Sequence, residues 1–60
     1  MSETFNVFVE GTFVGTAPTL PEANQVAKRM ANRMGKVGSV NILITDDKNN
    51  RRQGGSIYVT

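Results

Sequence analysis

Sixty residues without a single cysteine or histidine exclude a disulfide framework, a thiolate zinc site and the usual imidazole base or metal ligand. The length sets one domain that buries only about 60% of its unfolded surface, so every apolar side chain counts. The net charge of +2 is too small to imply a polyanionic partner by itself, and its distribution along the chain says more.

The start MSETFNVF lacks the basic segment and apolar run of a signal peptide. No apolar stretch is long enough to cross a bilayer, and the expectation is a cytoplasmic protein with no membrane partner. The first element is a strand over about 4–10. In FNVFVEGTFVG, residues Phe5, Val7 and Val9 point one way, while Asn6, Phe8 and Glu10 point the other. Gly11 supplies the positive φ of a tight turn, and TFVGTA follows as a second strand over 12–17. A two-residue turn at Glu10-Gly11 sets Val9 opposite Thr12, Phe8 opposite Phe13 and Val7 opposite Val14.

Helix signals come next, over about 20–35. Thr19 is an N-cap with Glu22 three residues on, Pro21 lies in the first turn, and Gly35 terminates the element. Leu20, Ala23, Val26, Ala27, Met30, Ala31 and Met34 fall on one arc at helical spacing. Gln25, Lys28, Arg29, Asn32, Arg33 and Lys36 occupy the other.

Alternation returns in SVNILIT, a strand over 39–45, with Val40, Ile42 and Ile44 on one face and Leu43 on the other. The polar run DDKNNRRQGG reads as a flexible loop over 46–55. SIYVT closes the chain as a strand over 56–60, with Ile57 and Val59 opposed to Tyr58.

The elements specify an α+β domain of two layers, ββαββ, with one amphipathic helix on a four-stranded antiparallel sheet of undetermined strand order. Its expected core is Phe5, Val7, Val9, Val14, Val40, Ile42, Ile44, Ile57 and Val59 beneath Ala23, Ala27, Met30 and Met34.

Two surfaces are candidates for function. Phe8, Phe13, Leu43 and Tyr58 all emerge on the face the helix leaves bare, and a contiguous apolar patch marks an interaction site. Such rings can stack on unpaired bases, dock a protein, or form a homodimer. They can also simply pair across strands and stabilise the hairpin. The second surface is basic. Lys28, Arg29, Arg33 and Lys36 have no acid at neutralising helical spacing, and Lys48, Arg51 and Arg52 lie in the predicted loop. Uncompensated cations suit phosphate contacts, although they also suit a solvated helix face.

Catalysis is not expected. The serines and threonines have no base to activate them, and Asp46-Asp47, the only adjacent carboxylates, read as turn residues. No glycine spacing matches a phosphate loop, and no cofactor or metal is expected. The piece GTFVGTAPTLPEANQVAKRM resembles the hairpin-then-helix unit of small DNA-binding modules such as integrase arm-binding domains. Those read DNA with a sheet rich in basic and aromatic side chains, whereas the strands predicted here hold no lysine or arginine. That mismatch keeps the resemblance out of the reading.

The sequence therefore favours a non-catalytic binding or regulatory protein that takes nucleic acid, DNA or RNA, on the basic helix and loop. The rival is a regulator or inhibitor of a protein partner, or a homodimer, acting through Phe8, Phe13, Leu43 and Tyr58. Either is of the kind that phages and small mobile genomes encode.

Overall fold

A computed structural model describes residues 3–60. It contains β1 (Phe5–Val9), β2 (Thr12–Ala17), α1 (Leu20–Arg33), β3 (Gly38–Thr45) and β4 (Arg51–Val59). The four strands form one antiparallel sheet in the order β2-β1-β3-β4, with the helix packed on one face. The expected two-layer ββαββ architecture is the observed one. Because β2 and β3 both run antiparallel to β1, they are parallel to each other, and the helix carries the chain between them. No helix among the described residues is long and apolar enough to cross a membrane.

Local chemistry explains the first hairpin. Glu10 (φ 49°) and Gly11 (φ 83°) both take positive φ, the requirement of the tight turn whose twist matches its strands. Val9 pairs with Thr12 and Phe8 with Phe13 as expected, but Val7 pairs with Gly15 rather than Val14. A bulge leaves Val14 as the extra residue. Without it Thr16 would point into the core and Ala17 out, because a one-residue slip reverses every side chain beyond it. With it, Ala17 is buried and Val14 still packs against the core. Gly15 then faces α1, where a Cβ would meet Val26 at an ordinary 3.6 Å.

The helix begins where its cap predicts. The Glu22 N–H donates to Thr19 Oγ1 at 3.3 Å, and the Thr19 hydroxyl donates to Glu22 Oε1 at 3.0 Å. It ends earlier than residue 35. Met34 is the C-cap, Gly35 turns left-handed at φ 77°, and the N–H groups of Gly35 and Lys36 donate to the carbonyls of Asn32 and Ala31, both at 3.0 Å. This pair of bonds satisfies carbonyls the helix would otherwise leave unpaired.

An alanine line, Ala23, Ala27 and Ala31, is fully buried against Phe5, Val7, Val9, Val40, Ile42, Ile44 and Val59. Small side chains on this line let the helix axis approach the sheet closely. Four expected core members differ. Val14, Met30 and Ile57 are only half-buried, and Met34, just past the last helical turn, is 40% exposed.

The largest departure is the predicted flexible loop over 46–55 and the short strand over 56–60. The chain turns only through residues 46–50, and β4 starts at Arg51. The buried carboxylate of Asp46 organises this turn. Its Oδ1 accepts the N–H groups of Lys48 and Asn50, each at 2.9 Å. The backbone closes it further, Asp46 N–H to Asn50 O at 2.9 Å and Asn49 N–H to Asp46 O at 3.0 Å, with Asn49 in the left-handed region at φ 68°. Beyond it, β4 pairs along the whole of β3 from Thr45↔Arg51 to Gly38↔Val59.

Candidate nucleic-acid interface

The register places the sheet-face residues with respect to one another. Phe13 pairs with Phe8, Phe8 with Leu43, and Leu43 with Gly54. These four therefore form one row across all four strands, on the face opposite the helix. The Phe8 and Phe13 rings meet edge to face at 5.6 Å between centroids, so the cross-strand pair stabilising the hairpin is present. Phe13 nevertheless remains 55% exposed, and Phe8 and Leu43 are half-buried. Tyr58, 71% exposed, shares the face but pairs with Ser39. Four residues from Gly54 along an extended strand, it stands about 13 Å from the row. Three of the four expected patch residues are together and the fourth is apart.

The seven expected cations divide into four groups. Lys28, Arg29 and Arg33 are exposed on the outer face of α1 and enter no ion pair among the described residues. Lys48 lies exposed in the 46–50 turn. Lys36 and Arg52 are neutralised. Lys36 Nζ lies 3.0 Å from Glu10 Oε1, a partner supplied by the first hairpin turn and invisible at helical spacing. Arg52 sits at a break in the β3–β4 register, where Ile44 pairs with Gln53 and Thr45 with Arg51. From there its guanidinium reaches Glu3 at 3.2 Å and Asp46 at 3.7 Å and lies 5.6 Å from the centre of the Phe5 ring. The two turn N–H bonds, first that of Asn50, outweigh the partial burial that opposes them. With Arg52 beside it, the Asp46 carboxyl is held below its ordinary value.

Arg51 goes elsewhere. A Cβ on Gly54 would lie 3.0 Å from Arg51 Nε and 3.2 Å from Cζ, so the guanidinium fills the space above Gly54 on the bare face. It thereby completes the row begun by Phe13, Phe8 and Leu43. The expectation that Arg51 and Arg52 act as a pair in a mobile loop does not hold, since both belong to β4 and diverge. The strands, expected to hold no basic residue, therefore carry two, both in β4. No Asp or Glu occurs in any of the four strands.

Sequence reasoning missed Arg51 on the sheet face because RRQGG carries no apolar alternation. The available signal was length. β3 spans eight residues, and an antiparallel partner reached through a tight turn must match that length. Gln53 was missed for the same reason. Facing the helix side, it exchanges two hydrogen bonds with Asn24, at 3.0 and 2.6 Å, and ties β4 to α1. No family model, curated protein or solved structure matches the chain, so the functional reading rests on this geometry.

Proposed function

We propose that the chain is a non-catalytic module that binds single-stranded nucleic acid across the bare face of its sheet. The observation that carries this reading is the Arg51 guanidinium laid over Gly54, in line with Leu43, Phe8 and Phe13. Exposed rings offer bases a stacking surface regardless of sequence, and a cation beside them offers a phosphate contact. The strands lack carboxylates that would repel the backbone. Asn41, Ser39 and Ser56, all exposed, supply neutral hydrogen-bonding groups on the same face.

A second reading has its own support. Lys28, Arg29 and Arg33 stay without acidic partners among the described residues, which suits phosphate contacts from the helix. With Lys36 and Arg52 paired, however, that surface is poorer in free cations than its sequence promised. It also faces away from the rings.

Fluorescence anisotropy with a labelled single-stranded oligonucleotide, with duplex of the same sequence as competitor, separates the two. Stacking on an aromatic is worth about 1–3 kcal/mol per base, so Phe13→Ala should weaken single-strand binding roughly tenfold. Arg51→Ala should weaken it too, and flatten the logarithmic salt dependence by about 0.7 for the phosphate released. If Lys28→Glu with Arg33→Glu abolishes binding while Phe13→Ala and Arg51→Ala leave it intact, the helix is the site. Absence of binding to either nucleic acid refutes both and returns the face to a protein partner.

A further inference from the structure

The two edges of the sheet differ. The β2 edge is short, broken by the bulge at Val14 and followed by Pro18, the devices that discourage strand addition. The β4 edge has none of them over Gln53–Val59, which contains no charged residue and no proline. Among the described residues its outer side receives no backbone hydrogen bond from any other segment. A row of unpaired N–H and C=O groups of this length is a template for another strand.

We infer that β4 pairs antiparallel with β4 of a second copy of this chain, centred on Ser56 opposite Ser56, to give an eight-stranded sheet. Side-chain volume selects both occupant and register. Counting outward from Ser56, Gly55 opposes Ile57 of the partner subunit and Gly54 opposes Tyr58 of the partner subunit. The two largest side chains of the segment each meet a glycine, twice over by symmetry. Arg51 and Arg52 fall at or beyond the ends of this ladder, so the like charges of the two copies stay apart.

The pairing also accounts for Tyr58, the exposed ring that stands away from the row within one chain. Directly opposite residues of antiparallel strands share a face, so the partner's Tyr58 enters the row next to Gly54. Adjacent strands are about 4.8 Å apart, which puts that ring beside the Arg51 guanidinium at cation–π range, about 6 Å. The line then reads Phe13, Phe8, Leu43, Arg51 over Gly54, and the partner's Tyr58. Each copy completes the aromatic row of the other. The pairing does not depend on a nucleic-acid ligand, and its test contains none.

Sedimentation equilibrium should give twice the 6.5 kDa chain mass for wild type, and the single-chain mass for Ser56→Lys, which sets two lysines face to face. The chain has no cysteine, so Ser56→Cys is a clean reporter and should cross-link under mild oxidation. Thr12→Cys on the β2 edge should not. Circular dichroism checks that each variant is folded, and if Ser56→Lys unfolds, the Ser56→Cys cross-link in the folded chain decides. A single-chain mass for wild type overturns the pairing. So does a dimer that survives Ser56→Lys, fails to cross-link through Ser56→Cys or cross-links through Thr12→Cys. Loss of the dimer in Phe13→Ser alone would assign the contact to the sheet face instead.

Discussion

The two hairpins flank the helix symmetrically in sequence, yet they are built on different principles. The first is written locally, in the strict alternation of β1, a Glu-Gly turn with both φ positive and apolar residues that choose a face. The second is local only in β3. Its partner starts RRQGG, a run with poor strand propensity, and is held as a strand by the β3 ladder, by the Asp46 turn and by the Asn24–Gln53 exchange. A segment without pattern of its own can thus be ordered by its neighbours. That is how a cation reaches the sheet face.

Several substitutions break or sharpen this contrast. The largest effect should come from Ile44→Ala, which empties a fully buried site in the strand that templates β4. A loss of about 2–5 kcal/mol is expected, enough to unfold much of a marginally stable chain, and urea titration followed by circular dichroism measures it. Gly11→Ala comes next, at about 1–2 kcal/mol, because a side chain at φ 83° is strained. Its cost should fall on the first hairpin, with hydrogen exchange in β3–β4 following only the global loss.

Acid tests the second turn. The Asp46 carboxyl sits below its ordinary 3.8 in the folded chain because ordered N–H groups and Arg52 favour the anion. Its stabilising contribution is therefore complete above that ordinary value. It is lost as pH falls through the folded value, since the unfolded chain takes up the proton first. Asp46→Asn keeps an acceptor for the turn but removes the charge. Wild type should lose its stability advantage over this variant below about pH 4, as thermal melts at stepped pH will show.

The smallest effect on stability should come from Gly54→Ala. Its methyl displaces only the flexible end of Arg51, so the melting temperature should barely move, while single-strand affinity falls as it does for Arg51→Ala. If affinity is unchanged, Arg51 over Gly54 is not a binding feature.

Legibility followed the same division. Period-two alternation placed Phe8, Phe13, Leu43 and Tyr58 on one face without a structure, because pleat parity follows from spacing alone. The helix and its cap were equally readable from Thr19, Glu22 and Gly35. The ion pairs of Lys36 and Arg52 were not, since Glu10 and Glu3 are distant in sequence and only the fold brings them near. Asp46 reaches Arg52 because residues 46–50 form a tight turn where a loose loop was expected. The bulge at Val14 was hidden as well, because both registers bury a plausible residue there.

What the chain determined by itself is therefore the architecture and the two faces of its sheet. Apolar periodicity and turn chemistry act over a few residues and need no partner. Tertiary structure decided the order β2-β1-β3-β4, the true length of β4, and which cations remain free. Each depends on backbone groups and charges that meet only after the two hairpins are joined through β1 and β3. For that reason the row from Phe13 to Arg51 exists in the folded protein and in no stretch of its sequence.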